Sequence, residues 1–158
     1  MKNKIEEIIE ESIVVKKDLV KSQLGAIEKA AEAMISALKA GGKIVIFGNG
    51  GSAADSQHIA AELVGRFLKE RKGLPAIALT TNTSILTAIA NDYSYNQVFS
   101  RQVDAVAEKN DVAIGISTSG KAANVIEAIE FANKKGLVTI ALTGGDGGGL
   151  AKVAKISI

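Results

Sequence analysis

His58 and Glu62 stand four residues apart in Asp55-Ser-Gln-His-Ile-Ala-Ala-Glu-Leu-Val-Gly-Arg66, and His58 is the only histidine of the chain. On a helix that spacing puts an imidazole and a carboxylate on one face. A carboxylate so placed can act as a general base, and the two side chains together offer two donors to a divalent metal. Two donors do not complete a metal site; the rest has to come from elsewhere in the chain, from another subunit or from water. By pattern alone a solvated surface contact is the commoner case for such a pair, because the apolar stripe Ile59, Ala60, Leu63, Val64 and Phe67 leaves His58 pointing almost the opposite way.

Two loops decide between these readings. Lys43–Phe47 is short, β-branched and apolar, as a strand buried on both faces is. Gly48-Asn-Gly-Gly51 follows, and Ser52 then offers a helix N-cap with Asp55 three residues on as a capping-box acid. Strand, glycine turn and helix start present free backbone N–H groups and the positive end of a helix dipole, an arrangement that suits phosphate. A glycine turn without a ligand has the same pattern. The second loop, Ser117-Thr-Ser-Gly-Lys121, again lies between an apolar strand and a helix, and three hydroxyls join its amides. Alone it is equally an ordinary Ser/Thr cap. Together the loops follow strands one and three, which are neighbours in a doubly wound sheet of order 2-1-3-4-5 and flank its switch-point crevice. A phosphorylated small molecule is the reading favoured there.

A dinucleotide competes for the first loop, since Gly48-x-Gly50-x-x-Ala53 satisfies G-x-G-x-x-G/A. The second strand, however, ends Ala78-Leu-Thr-Thr-Asn82 without the carboxylate that would hold a ribose. No Walker A lysine follows the glycines in register.

Apolar runs at Ile44–Phe47, Ala76–Leu79, Val112–Ile116, Val138–Leu142 and Val153–Ile158 read as the strands that position these loops. Helical periodicity covers residues 3 to 40 and then Ala53–Phe67, Thr83–Ala90, Asn96–Ala107 and Lys121–Lys134, with a short turn near Leu150. Alternating strands and helices imply a parallel sheet with right-handed crossovers and helices on both faces. The first 40 residues carry two apolar stripes, Ile5 to Val20 and Leu24 to Leu38, more than one sheet needs for cover. The leading helix is expected to pack partly on another subunit or to cap its own domain.

Composition bounds the class. In 158 residues, 47% are apolar and 23% charged, which fits one soluble globular domain with a proper core. A net charge of +2 without a Lys/Arg run argues against nucleic acid, and zero cysteines exclude disulfides and thiolate chemistry. No apolar run is long enough to span a bilayer. No membrane partner and a cytoplasmic location are the expectation.

The segment Phe47-Gly-Asn-Gly-Gly-Ser-Ala-Ala-Asp-Ser-Gln-His-Ile-Ala-Ala-Glu-Leu-Val-Gly-Arg-Phe67 resembles the signature of the phosphoheptose isomerases, a sugar-isomerase (SIS) domain family. So do Ala90-Asn-Asp-Tyr93, Phe99-Ser-Arg101 and Gly115-Ile-Ser-Thr-Ser-Gly-Lys-Ala-Ala-Asn-Val125. The resemblance implies a three-layer, flavodoxin-like α/β fold with a five-stranded parallel sheet: residues 1–40 as a helical extension for oligomerisation and cover, and 41–158 as the SIS domain. It implies that sedoheptulose 7-phosphate is converted to a heptose 7-phosphate for bacterial surface glycans, in homotetramers with sites between subunits. Asn49, Gly50, Gly51, Asn91 and Asp92 would contact the substrate, and Ser52, Ser117, Thr118 and Ser119 its phosphate. Glu62 would be the base of an enediol mechanism, and His58 and Glu62 two ligands of zinc where zinc is used.

Two features depart from the family pattern. Ala122 stands where a hydroxyl is usual. A long helix that carries a glutamine and a histidine beyond the last strand, supplying further metal ligands and the catalytic acid, has no counterpart before Ile158, and the last strand should leave one sheet face short of cover. A phosphosugar- or protein-binding SIS module without catalysis, like an initiator-associating relative, and an isomerase of a shorter sugar phosphate are the competing functions.

Overall fold

Along β1 (Ile44–Gly48) every residue is buried, and the side chains alternate between two cores, as the two-residue period of a strand demands. Ile44 and Ile46 face one core, Val45 and Phe47 the other. A computed structural model describes residues 1–158. It places β1 beside β2 (Ala76–Ala78) and β3 (Val112–Ser117), and continues through β4 (Val138–Thr143) to β5 (Ile156–Ser157). All pairings are parallel and the order is β2-β1-β3-β4-β5, as expected from the sequence.

Helices cover both faces. On one side lie α2 (Leu24–Lys39) and α3 (Gly51–Val64), which bury Ala30, Ala37 and Ala60 against Ile44, Ile46, Val112, Ile114 and Ile140. The other side holds α4 (Thr83–Asp92), α5 (Ser100–Val106), α6 (Ala123–Lys134) and the short α7 (Gly148–Val153). Its core runs from Phe47, stacked on Phe99 at 5.4 Å, to Val125, Ile129 and Leu150. Ahead of this three-layer body, α1 (Lys2–Ser22) buries none of its residues; Ile8, Ile9, Val15 and Val20 are each more than half exposed. No helix is long and apolar enough to cross a membrane.

Several boundaries differ from the periodicity, each for a local reason. The helix expected over Asn96–Ala107 is a 3₁₀ turn at Tyr95–Gln97 followed by α5, because the chain bends to bury both Val98 and Phe99. The strand expected from Val153 starts at Ile156; Val153 closes α7, which is held where the Leu150 amide donates to Gly120 O at 2.9 Å. The apolar stripe expected to run through Val64 to Phe67 ends earlier. Gly65 stops α3, Arg71 donates to the carbonyls of Glu62 and Leu63 at 2.9 Å, and Val64 and Phe67 are exposed. Ser52 is not the N-cap. Gly50 takes that place with φ +54°, a conformation glycine adopts without cost, and Ser52 lies inside the first turn, so there is no capping box with Asp55.

One buried carboxylate ties the sheet together at the end away from the loops. Asp111, 2% exposed, accepts the amides of Lys43 and Glu108 at 2.8 Å and the Lys43 ammonium at 2.6 Å. It thereby fixes the register in which β1 enters beside β3. Asp111→Ala removes a charged acceptor from two amides and is expected to cost about 3 kcal/mol of stability. The measurement is the denaturant midpoint at unchanged m-value; a loss under about 1 kcal/mol would mean that water replaces the carboxylate.

Candidate functional site

The loops that leave β1 and β3 are adjacent, because Gly48 pairs with Ile116 in the ladder just before both strands end. This is the switch point, where the crossover to β2 runs one way and the crossover to β4 the other. The amides of Asn49 and Gly50 in the first loop, and of Thr118 and Ser119 in the second, donate to no acceptor in the protein. Amides left without a protein partner on two adjacent loops, each leading into a helix, suit an acceptor-rich, anionic group. Of the three hydroxyls in the second loop only Ser119 is used locally, accepting from the Lys121 amide at 3.3 Å. Thr118 and Ser119 are exposed, and Ser117 is buried beneath them.

An open groove of about 760 Å³ leads away from this point along the face that α2 and α3 share. Ser52, Thr118, His58 and Glu62 stand in its wall, and Ile116, Leu142 and Ile158 form part of its floor. His58 Nε2 lies 3.1 Å from Glu62 Oε1; the histidine side chain is 73% exposed and the glutamate 37%. A carboxylate that is half-withdrawn and hydrogen-bonded on one oxygen can remove a proton from a carbon held in the groove.

The structure does not gather every residue singled out from the sequence. Asn91 and Asp92, at the end of α4, bond each other at 2.8 Å and do not line the groove. The side chain of Asn49 turns to α6, where it forms a reciprocal amide pair with Asn124 at 2.9 Å in each direction, and it accepts the Tyr95 hydroxyl at 3.3 Å. No group of three His, Cys, Asp or Glu side chains is arranged to hold a metal ion, so His58 and Glu62 provide two donors and no more. Asn124 and Tyr95 were not legible beforehand: their partner lies 75 and 46 residues away in sequence. The only available sign was one asparagine beside the apolar stripe of the helix after Lys121.

A doubly wound parallel sheet with an anion crevice at its switch point, opening on a carboxylate and an imidazole, defines a domain that takes phosphate esters of small molecules. The SIS domain model matches residues 8–144, and the chain belongs to that family. Within it, the chain is 54% identical over 154 residues to the phosphoheptose isomerase of Aquifex aeolicus, covering 98% of this chain and 81% of that one. The phosphoheptose isomerase of Thermodesulfovibrio yellowstonii is 54% identical over 143 residues, 90% of this chain and 71% of the relative. Among solved structures, phosphoheptose isomerase from Neisseria gonorrhoeae superposes with a TM-score of 0.92 at 46% identity, over 99% of this chain and 83% of that chain. The enzyme from Francisella tularensis gives 0.93 at 39%, over 98% and 83%.

Proposed function

We propose that this chain is an aldose–ketose isomerase that converts sedoheptulose 7-phosphate to D-glycero-D-manno-heptose 7-phosphate, feeding bacterial heptose and lipopolysaccharide biosynthesis. The observation that carries the reading is the adjacency of the β1 and β3 loops, each with amides unpaired in the protein, at the groove that Ser52, Thr118 and Glu62 line. The identity to enzymes named for this reaction supports it.

In this reading the phosphate seats on the amides of Asn49, Gly50, Thr118 and Ser119, with the hydroxyls of Ser52, Ser117, Thr118 and Ser119 around it. Gly51 closes the first loop without a side chain, and Asn91 and Asp92, outside the groove of their own chain, would contact the sugar across a subunit interface. Glu62 takes a proton from C1 of the open-chain ketose, the C1–H electron pair forms the C1–C2 double bond of an enediol, and the former carbonyl oxygen O2 gains a proton. Return of the proton from Glu62 to C2, with loss of the O1 proton, gives the aldehyde at C1. If zinc were held, His58 and Glu62 would be two of its ligands, and Lewis-acid polarisation of the substrate carbonyl is the chemistry it would supply.

We also assign the chain to a homotetramer, with α1 as the oligomerisation element. Its uncovered apolar face supports this, because Ile8, Ile9, Val15 and Val20 are exposed side chains that association with another molecule would cover. Light scattering should give a particle of several chains, and a variant carrying Ile9→Asp and Val20→Asp should fall to smaller species; a wild-type monomer at micromolar concentration would remove the assignment. The function itself is tested by incubating purified protein with sedoheptulose 7-phosphate, with and without added zinc. Formation of the aldose supports the enzyme. Affinity for the sugar phosphate without turnover supports a binding module, and preference for a pentose phosphate would replace the substrate.

A further inference from the structure

Three segments meet on one side chain. Asn49 belongs to the loop after β1, Asn124 to the first turn of α6 just behind the Ser117–Gly120 loop, and Tyr95 to the 3₁₀ turn that follows Asn91 and Asp92. Asn49 Nδ2 donates to Asn124 Oδ1 and Asn124 Nδ2 donates to Asn49 Oδ1, both at 2.9 Å, and the Tyr95 hydroxyl donates to Asn49 Oδ1 at 3.3 Å. Asn124 is 4% exposed. A primary amide buried to that degree needs hydrogen-bond partners, and the reciprocal pair engages the oxygen and one N–H of each amide. Nothing else in the core requires an amide there; the neighbouring α6 residues Val125 and Ile129 pack as aliphatic side chains.

The pair also fixes what the backbone of the first loop can do. With its side chain held from behind, Asn49 is fixed in place, and the loop that carries its amide and that of Gly50 is held beside the loop of Thr118 and Ser119. We propose that Asn124 is a positioning residue of the phosphate site. Through Asn49 it holds the β1 loop in register with the β3 loop, and Tyr95 extends the same clamp to the end of α4. The inference deepens the proposed function and rests on that reading of the crevice as a phosphate site.

The test pairs steady-state isomerisation with calorimetric affinity for inorganic phosphate, which does not depend on turnover. Asn124→Ala is expected to raise KM and weaken phosphate binding about tenfold while kcat stays within about threefold, the size of effect that follows loss of one or two buried hydrogen bonds. Asn49→Ala should do the same, and the double variant should lose no more than either single one, because both remove one interaction. Tyr95 is largely exposed, so Tyr95→Phe leaves the fold intact whatever Asn124→Ala does, and should raise KM about threefold. A fall in melting temperature with KM and phosphate affinity unchanged would reduce the clamp to a structural contact, and multiplying losses in the double variant would separate the two residues. A wild type that binds phosphate without turnover, with affinity still lost in Asn124→Ala, would overturn the isomerase reading and keep the clamp.

Discussion

Glu62→Gln should lower kcat for the isomerisation about 10³-fold, the usual contribution of a positioned general base, and leave KM within about threefold. Glutamine has nearly the shape of glutamate and retains an oxygen that can face His58, so the contact now at 3.1 Å survives in altered form. What it lacks is a site basic enough to take a proton from carbon. Folding gives no competing explanation for a loss of rate. Glu62 is partly exposed and its carboxylate bonds only His58, so its replacement should move stability by about 0.5 kcal/mol or less. A second readout isolates the step. In D₂O the wild type should wash solvent deuterium into the carbon-bound positions next to the carbonyl, and the variant should not. Retention of a tenth of the rate, or of the exchange, would assign proton transfer to another group.

The parts of this molecule that were legible in the sequence are those written in adjacent residues. The strands and their parallel sense followed from apolar runs alternating with helices, their order from the doubly wound fold that this pattern and the family resemblance implied, and the two site loops from glycine and hydroxyl residues placed between a strand and a helix. The shared face of His58 and Glu62 followed from their spacing alone. What escaped was encoded in pairings across the chain. The Asn49–Asn124 pair spans 75 residues and the Lys43–Asp111 clamp 68, and neither has a local pattern. The end of α3 was misplaced for a related reason: apolar periodicity continues to Phe67, while the chain is stopped by Gly65 and by an arginine that reaches back from the next loop. Asn91 and Asp92 show the converse. They were singled out as substrate contacts; in the single chain they bond each other outside the groove, which leaves that role to the assembled protein, while Tyr95, just beyond them, touches the first loop.

Gly120→Ala is expected to be the most disruptive single methyl in the protein. Gly120 sits at φ +63°, where an alanine is strained, and a Cβ built there would lie 2.0 Å from the carbonyl oxygen of Gly147 and 2.9 Å from the amide nitrogen of Gly148. Those obstacles are backbone atoms, so no rotamer relieves the contact. The two segments are also tied to each other: Gly144 donates its amide to Thr118 O at 3.0 Å, and Leu150, fully buried, donates to Gly120 O at 2.9 Å. The glycine-rich turn 144–149 therefore acts as a buttress under the phosphate loop. A methyl wedged between them must push Thr118 and Ser119, and their idle amides, out of place. Left-handed strain costs about 1–3 kcal/mol and forced overpacking about 1–3 more, so the expected loss of stability is about 4 kcal/mol. The surviving folded protein should show KM raised more than about tenfold, as misplacement of a binding group predicts. Gly145→Ala separates strain from collision. Gly145 has φ +59°, much like Gly120, but nothing lies within 4 Å of its Cβ position, so only the conformational term of about 1–2 kcal/mol should appear, without a change in KM. Equal losses in the two variants would mean that the segments yield easily, and that the phosphate loop is held by its own turn rather than by the chain packed beneath it.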